Sequence, residues 1–208
     1  MNLTGVKIYK VIMNYSGLII GLGNPGNKYA STRHNIGFMV IETLLESKDP
    51  PKINVKNTEY NKKLYKLWKV NLEDAKQDWL VCAPLTYMNL SGKAVNKLCK
   101  KYGFRPDQII VVHDELDLSF GKLRLKYGGG LSGHNGLLSI AQELGSRDFY
   151  RLRMGIGRPG QGNDIVDYVL SKFSKQESDQ LKQILDKAAT GLYSFCTQGM
   201  QQAMNLIH

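Results

Sequence analysis

The chain has 208 residues, 42% hydrophobic and 22% charged, which is the balance of a globular protein with a substantial core. No apolar run reaches membrane-spanning length and residues 1–16 lack the apolar centre of a signal peptide, so neither a membrane protein nor a secreted precursor is expected. The net charge of +10 and the pI of about 9.4 favour a polyanionic partner, a nucleic acid or an anionic membrane, although charge alone also fits a basic protein with no such partner.

Residues 1–16 precede the first predicted strand. They carry Lys7 and Lys10 but no arginine, which argues against a transit peptide. Met13 stands just before that strand, so both a disordered extension and a start assigned too early stay open. We therefore predict an extension over residues 1–16 and a single domain over residues 17–208.

The opening unit of that domain contains the first candidate site. An apolar run at 18–20 predicts a buried strand, a turn rich in Pro and Gly follows at 24–27, and an apolar pattern at helical spacing predicts a helix over about 32–47. His34 would lie where the loop meets the helix, near the carboxyl end of the strand, where open α/β sheets bind ligands. Taken alone, a histidine there is more simply a capping or core residue.

The sequence GLGNPG in this unit matches the pattern of dinucleotide-binding loops. In such loops the helix starts on the glycines so that its N-terminus meets the pyrophosphate, whereas here the predicted helix is delayed until about Thr32. No second strand ending in an acidic residue follows at the required distance of ~20 residues. We therefore expect no nicotinamide cofactor, and a dehydrogenase is a distant alternative.

A polar stretch with two prolines, residues 47–63, predicts a surface connection. Residues 64–70 and 79–82 predict two strands joined by a short link, an antiparallel hairpin. A helix with Gly103 as its stop follows a loop at 84–92. Asn89 in that loop has the side chain of a helix cap, and capping is the competing interpretation of its role.

The run Ile109–Val112 predicts a central strand that is buried on both faces. It leads directly into three carboxylates, Asp114, Glu115 and Asp117. Such a group can bind a metal, can be a solvated surface, or can include one carboxylate that orients an imidazole. The sequence leaves these three alternatives open.

Basic residues alternate along the next predicted strand, where Arg124 and Lys126 share one face. A charged edge strand is the competing interpretation. Residues 128–136 then contain five glycines directly before a predicted helix at about 137–144, an arrangement that suits an anionic group but is not a Walker A loop. Arg151 and Arg153 add two cations on a further strand.

The closing segment predicts a short helix over 164–170 and a long helix that opens with a capping box, Ser174 with Glu177.

The three cysteines, Cys82, Cys99 and Cys196, are scattered and form no C-x-x-C pair, so neither a disulfide framework nor a zinc site is indicated. A reducing compartment, the cytoplasm, follows from this usage.

Four segments carry a resemblance to a known family. They are, in order, GLGNPGNKYASTRHN, PLTYMNLSGKAV, VVHDELDL and GGGLSGHNGL. In sequence and spacing they resemble bacterial-type peptidyl-tRNA hydrolases, and the resemblance runs from about Leu18 to the C-terminus. It implies a single α/β domain with a twisted mixed β-sheet flanked by helices on both faces, a three-layer α/β/α architecture. It also implies a cytoplasmic monomer without a metal or a cofactor.

The resemblance implies a role for each matching residue. His34 corresponds to the general base that activates the attacking water, and Asp114 to the carboxylate that orients and polarises that imidazole. Asn24 corresponds to the residue that helps to distinguish blocked from free amino ends. Asn89 and Asn135 correspond to the amides that hold the peptide and the reacting centre.

Other matching positions imply contacts with the rest of the substrate. Those expected beside the peptide are Tyr29, Tyr87, Met88 and His134; those expected on tRNA phosphates are Arg124, Lys126 and Arg153. The implied reaction is hydrolysis of the ester between a peptide and tRNA, which recycles tRNA during translation, with no covalent intermediate. The alternative is a relative of the same fold that binds structured RNA without catalysis.

Overall fold

A computed structural model describes residues 15–47, 53–61 and 63–208. The strands are β1 (Tyr15–Gly21), β2 (Ile53–Asn61), β3 (Tyr65–Leu72), β4 (Asp78–Pro84), β5 (Ile109–Glu115), β6 (Leu123–Tyr127) and β7 (Tyr150–Gly155). The α-helices are α1 (Ile36–Glu46), α2 (Ser91–Tyr102), α3 (Asn135–Leu144), α4 (Ile165–Val169), α5 (Lys175–Gln198) and α6 (Met200–Ile207). Among these described helices, none is long and apolar enough to cross a bilayer.

The strands form one mixed sheet in the order β2-β3-β4-β1-β5-β7-β6. Strand β1 pairs in parallel with β4 and β5, and β5 pairs in parallel with β7. The pairs β2–β3, β3–β4 and β6–β7 are antiparallel, as predicted for the hairpin of β3 and β4. The carboxyl ends of β1 and β5 therefore meet at one edge of the sheet, where the site is expected.

Helices cover both faces of this sheet and bury two separate cores. Ile110 and Val112 of β5 pack into the core with α1, α5 and α6, whereas Ile109 and Val111 pack into the core with α2 and α3. Because successive residues of a strand point to opposite faces, a continuous apolar run fills both cores at once. The predicted three-layer α/β/α fold is thus confirmed.

The predicted surface connection over residues 47–63 is wrong, because β2 occupies Ile53–Asn61 and pairs with β3 along its length. β2 is an edge strand, with residues 54–58 exposed to solvent. An exposed edge strand needs no apolar alternation, so its sequence reads as a polar loop. The prolines at positions 50 and 51 lie outside the described residues.

The N-terminal strand begins at Tyr15, two residues before the predicted domain start at residue 17. The remainder of the predicted extension, with Met13, lies outside the described residues, and the division of the chain at residue 16 stays a prediction.

Helix α1 begins only at Ile36, after a single 3₁₀ turn at Arg33–Asn35, so it does not start on the glycines of GLGNPG. A close approach fixes its position: a Cβ on Gly37 would lie 2.4 Å from the Val112 carbonyl oxygen and 2.5 Å from the Leu22 nitrogen. Only glycine allows this contact. It seats the 3₁₀ turn with His34 over the carboxyl ends of β1 and β5.

Candidate active site

His34 and Asp114 form a buried pair at that edge of the sheet. His34 Nδ1 lies 2.9 Å from Asp114 Oδ1, and the residues are 9% and 4% exposed. Burial would raise the pKa of Asp114, but the adjacent His134 and His34 lower it far below its usual value, so the carboxyl group is ionised. Because a carboxylate only accepts hydrogen bonds, His34 Nδ1 carries the proton and its Nε2 keeps a lone pair.

A second histidine binds the same carboxylate oxygen. His134 Nε2 lies 3.0 Å from Asp114 Oδ1, while its Nδ1 accepts from the backbone N–H groups of Gly136 at 3.1 Å and Leu137 at 3.3 Å. His134 thereby caps α3, and its proton must reside on Nε2. A proton on Nδ1 would oppose both N–H groups, so the Nε2–H points at Asp114 and fixes that carboxylate in place.

His34, Asp114 and His134 bring one ligand atom each to within 4.8 Å of one another, the spacing of a metal site. A metal on His134 Nε2 would require the ring proton to move to Nδ1, where two backbone N–H groups point. The hydrogen bonds therefore arrange these three side chains as a proton-holding network.

The three carboxylates at the end of β5 do not converge. Asp114 orients the imidazoles, Glu115 accepts from Arg153 Nε at 2.9 Å, and Asp117 binds the exposed Arg158. Asp114 and Glu115 are buried, at 4% and 3% exposure, so surface solvation is wrong for both. Of the three alternatives, orientation of an imidazole is the one that the geometry supports.

His113 is a buried residue that the sequence reasoning did not single out. Its Nδ1 lies 2.7 Å from the Asp114 backbone oxygen, and its ring packs edge-on against His134 with centroids 5.1 Å apart. Burial, then the neighbouring His134, lowers its pKa well below the usual value, so the ring is neutral. The only available signal was its place beside Asp114 at the end of an apolar run.

A cavity of about 280 Å³ opens onto the network. Its polar lining includes His34, Asp114, His134 and Asn135. Its apolar lining is formed by Leu116, Ile165, Val166 and Val169. This combination can hold a partly apolar ligand against an imidazole that has a free lone pair.

Asn24 lies in a neighbouring cavity of about 340 Å³. Its backbone N–H donates to Asn35 Oδ1 and its carbonyl accepts from Asn35 Nδ2, both at 2.9 Å. Its own Oδ1 accepts from the Met88 backbone N–H at 2.8 Å, which leaves its Nδ2 group free to donate. Asn24 is thus buried and held with a fixed amide orientation beside the His34 turn.

The other predicted peptide contacts differ in burial, and among them only His134 and Asn135 line either cavity. Asn135 lines the first, whereas Asn89 is exposed on a 3₁₀ turn and does not cap α2, whose cap residue is Leu90. Met88 is buried, with its sulfur beside Gly136. Tyr87 is exposed and Tyr29 is half-buried.

The predicted phosphate contacts lie on two paired strands. Arg124 and Lys126 are exposed on β6, while the buried Leu123 and Leu125 alternate with them. Arg124 stands directly opposite Arg153 on β7. The strand pairing therefore gathers the three cations on one face of the sheet, with Arg153 also bound to Glu115.

Arg33, directly before His34, is a second residue that the sequence reasoning missed. It forms two hydrogen bonds of 2.8 Å with Glu177 and lies over the rings of Tyr168 at 4.5 Å and Phe173 at 5.0 Å. Glu177 completes the predicted capping box with Ser174. The ion pair thus fastens the His34 turn to the start of α5.

Comparisons with known proteins show the family to which the chain belongs. Residues 18–208 match the family profile described as peptidyl-tRNA hydrolase. The chain is 45% identical over 197 residues to the peptidyl-tRNA hydrolase of Nitratidesulfovibrio vulgaris, covering 94% of this chain and 98% of that protein. It is 46% identical over 197 residues to that of Oleidesulfovibrio alaskensis, with the same coverage of both.

The fold is also shared with a solved structure. The crystal structure of peptidyl-tRNA hydrolase from Acinetobacter baumannii superposes with a TM-score of 0.80 at 40% sequence identity. The match covers 94% of this chain and 95% of that one.

Proposed function

The chain belongs to the peptidyl-tRNA hydrolase family, and we propose that it hydrolyses the ester between a peptide and the terminal ribose of tRNA, so that the tRNA is recycled. The observation that carries this proposal is the hydrogen-bonded network of His34, Asp114 and His134 at the edge of a cavity. It supplies a base with a free lone pair beside a space large enough for a ligand.

The reaction proceeds through a water activated by His34. The Nε2 lone pair takes a proton from the water as its oxygen attacks the ester carbonyl carbon. Asp114 stabilises the imidazolium that forms, as an ionised carboxylate 2.9 Å from Nδ1. The proton then passes to the ribose oxygen as the ester bond breaks, which yields a carboxylic acid and a free tRNA hydroxyl.

Amide side chains hold the peptide and the reacting centre. Asn135 lines the cavity beside the network, and Asn89 lies on the adjacent turn. Their neutral N–H groups can donate to the oxygen on which negative charge develops. The apolar lining formed by Ile165, Val166 and Val169 suits peptide side chains of varied shape.

A covalent intermediate is not required by this site. Burial raises the pKa of the Cys99 thiol to about 12 and raises that of Cys82 well above its usual value. Both thiols lie in the core packed under α2. Neither is a thiolate near neutral pH, which supports direct attack by water.

Asn24 selects blocked amino ends, and Arg124, Lys126 and Arg153 bind tRNA through its phosphates. The fixed orientation of the Asn24 amide supports the first assignment. The exposed cations and a net charge of +10 support the second. Contacts to phosphates leave base sequence unread, as suits an enzyme that acts on many tRNAs.

We further propose that one domain over residues 17–208 acts as a monomer in the cytoplasm. The resemblance of the chain to this family supports the monomer. The three free cysteines support a reducing compartment. The alternative, RNA binding without catalysis, gives no reason for a buried imidazole–carboxylate pair.

The test is release of an N-blocked amino acid from tRNA, with free aminoacyl-tRNA as the control substrate. The proposal predicts multiple turnovers on the blocked substrate and slow or no release from the free one. Tight tRNA binding without ester cleavage would instead establish the alternative.

A further inference from the structure

Arg151 on β7 is a buried arginine that forms no salt bridge with any residue in the described part of the chain. It is 2% exposed, and its volume makes it the largest fully buried side chain in the described part of the protein. Its Nη1 donates to the Gly130 carbonyl at 2.8 Å and its Nη2 donates to the Gly128 carbonyl, while its Nε has no partner. A buried charge whose hydrogen bonds go only to carbonyl oxygens, with the Glu115 charge acting on it from a longer distance, is costly to the free protein. The mechanism above gives it no role.

The guanidinium sets the shape of the glycine segment that precedes His134. Gly128 and Gly129 adopt left-handed φ angles of 58° and 83°, which turn the two bound carbonyls toward Arg151. Gly129 is exposed and lies beside Lys126, because a Cβ there would be 3.1 Å from Lys126 Nζ. The segment is thus the surface on which the Lys126 ammonium rests.

The strand register concentrates positive charge at the same place. Lys126 stands opposite Arg151, and Arg124 stands opposite Arg153. Like charges directly opposite one another destabilise a sheet. Glu115, bound to Arg153, and Asp117, whose pKa Arg153 helps to lower, offset this group only in part. A polyanion is the ligand that such an arrangement attracts.

We propose that Arg151 is a positioning residue for RNA binding, which clamps residues 128–130 so that the Lys126 ammonium is presented to a phosphate. The inference rests on the proposed function, since it takes RNA as the polyanion. A guanidinium spans two carbonyls with its planar fork, whereas a lysine ammonium is a single point charge. A lysine at position 151 would therefore keep the positive charge but would not hold both carbonyl groups as Arg151 does.

Three variants test this, each measured with uncharged tRNA so that catalysis is not needed. Arg151→Lys keeps the positive charge but loses the hydrogen bond to one of the two carbonyl groups. Gly129→Ala places a methyl group against Lys126. Gly162→Ala is the matched control, because Gly162 has the same φ of 83° but nothing within 4 Å of a Cβ. The measurements are the tRNA Kd across a salt series and hydrogen exchange of the amides of residues 129–133.

Arg151→Lys should weaken tRNA binding by about fivefold or more and speed exchange of these amides, since a charge-assisted hydrogen bond is lost. Gly129→Ala should reduce the magnitude of the log–log salt slope by ~0.7, the share of one phosphate. Gly162→Ala should keep the wild-type slope and Kd.

A folded Arg151→Lys protein that has the wild-type Kd, slope and exchange would overturn the proposal. Should Arg151→Lys fail to fold, the pair of alanine variants decides: equal tRNA binding by Gly129→Ala and Gly162→Ala contradicts the inference. Failure of the proposed function looks different, because wild-type protein would then bind tRNA without releasing the blocked amino acid.

Discussion

His34 Nδ1 lies 2.9 Å from Asp114 Oδ1, although 80 residues separate the two in the chain. The contact exists because the 3₁₀ turn before α1 and the end of β5 meet where β1 and β5 run in parallel. It determines which imidazole nitrogen holds the proton and which is free to take one.

Replacing Asp114 by Asn removes the negative charge that stabilises the imidazolium. The acidic limb of the pH–rate profile should move to lower pH, because the protonated ring loses its anionic partner. Its kcat should also fall, since the amide can present its N–H to His34 and favour the wrong tautomer. The measurement is kcat/KM from pH 5 to 9, and an unchanged profile would remove Asp114 from this role.

Replacing Asn24 by Asp should weaken discrimination against free aminoacyl-tRNA. The variant keeps an acceptor for the Met88 N–H, 2.8 Å away, but replaces the free amide N–H₂ with a carboxylate oxygen. A carboxylate attracts the ammonium of the free substrate. The quantity to compare is the ratio of kcat/KM for blocked and free substrates. Asn54→Asp, the same change on the exposed edge strand, is the control, and equal ratios in both variants would refute the idea.

Replacing Lys126 by Ala tests whether the exposed cations bind tRNA. Three phosphate contacts give a log–log salt slope of about −2, and losing one should reduce its magnitude by ~0.7. KM should rise more than kcat falls, because the contact is equal in the ground and transition states. A minimal substrate without the tRNA body should respond less. Equal effects on both substrates, or none on either, would mean that the strand is only a charged edge.

Replacing Glu177 by Gln tests the ion pair behind the His34 turn. Hydrogen bonding from Arg33 lowers the pKa of Glu177 to about 2 from an ordinary value of 4.5. A depressed carboxyl pKa stabilises the fold above the unfolded value, and this contribution disappears as the pH falls from about 4.5 to 2. At pH 7 the contribution is at most about 3 kcal/mol.

The free energy of unfolding of Glu177→Gln should therefore be lower than that of wild type at pH 7, and the gap should close as the pH falls toward 2. Urea unfolding at pH 7, 5 and 3 measures it. Asp186→Asn, which breaks the exposed Lys182–Asp186 pair, should change stability by only ~0.5 kcal/mol. A pH-independent difference between wild type and Glu177→Gln would contradict the assignment.

Much of this fold can be read from apolar patterns. The run Ile109–Val112 predicts β5, whereas the mixed sheet with helices on both faces is implied by the resemblance to the family. The edge strand β2 escapes detection because solvent on both sides removes the alternation that marks a strand. A strand with one buried face shows an alternating apolar pattern in its sequence. A strand without a buried face does not show this pattern and is missed.

The site divides in the same way. The resemblance to the family implies the roles of His34 and Asp114, and the positions of strand ends predict that both lie at the same edge of the sheet. The shared oxygen with His134, the Arg33–Glu177 pair and the buried Arg151 depend on contacts between distant segments. No local pattern encodes such contacts, because the sequence around a polar residue does not show whether its side chain is buried or exposed.

The most direct test of the account compares His34→Ala with wild type on N-blocked aminoacyl-tRNA, with uncharged tRNA affinity measured on both. General-base catalysis contributes typically ~10²–10⁴-fold, so kcat should fall by about that factor while the tRNA Kd stays within about twofold. A His34→Ala protein that turns over at close to the wild-type rate would contradict the assignment of His34 as the base.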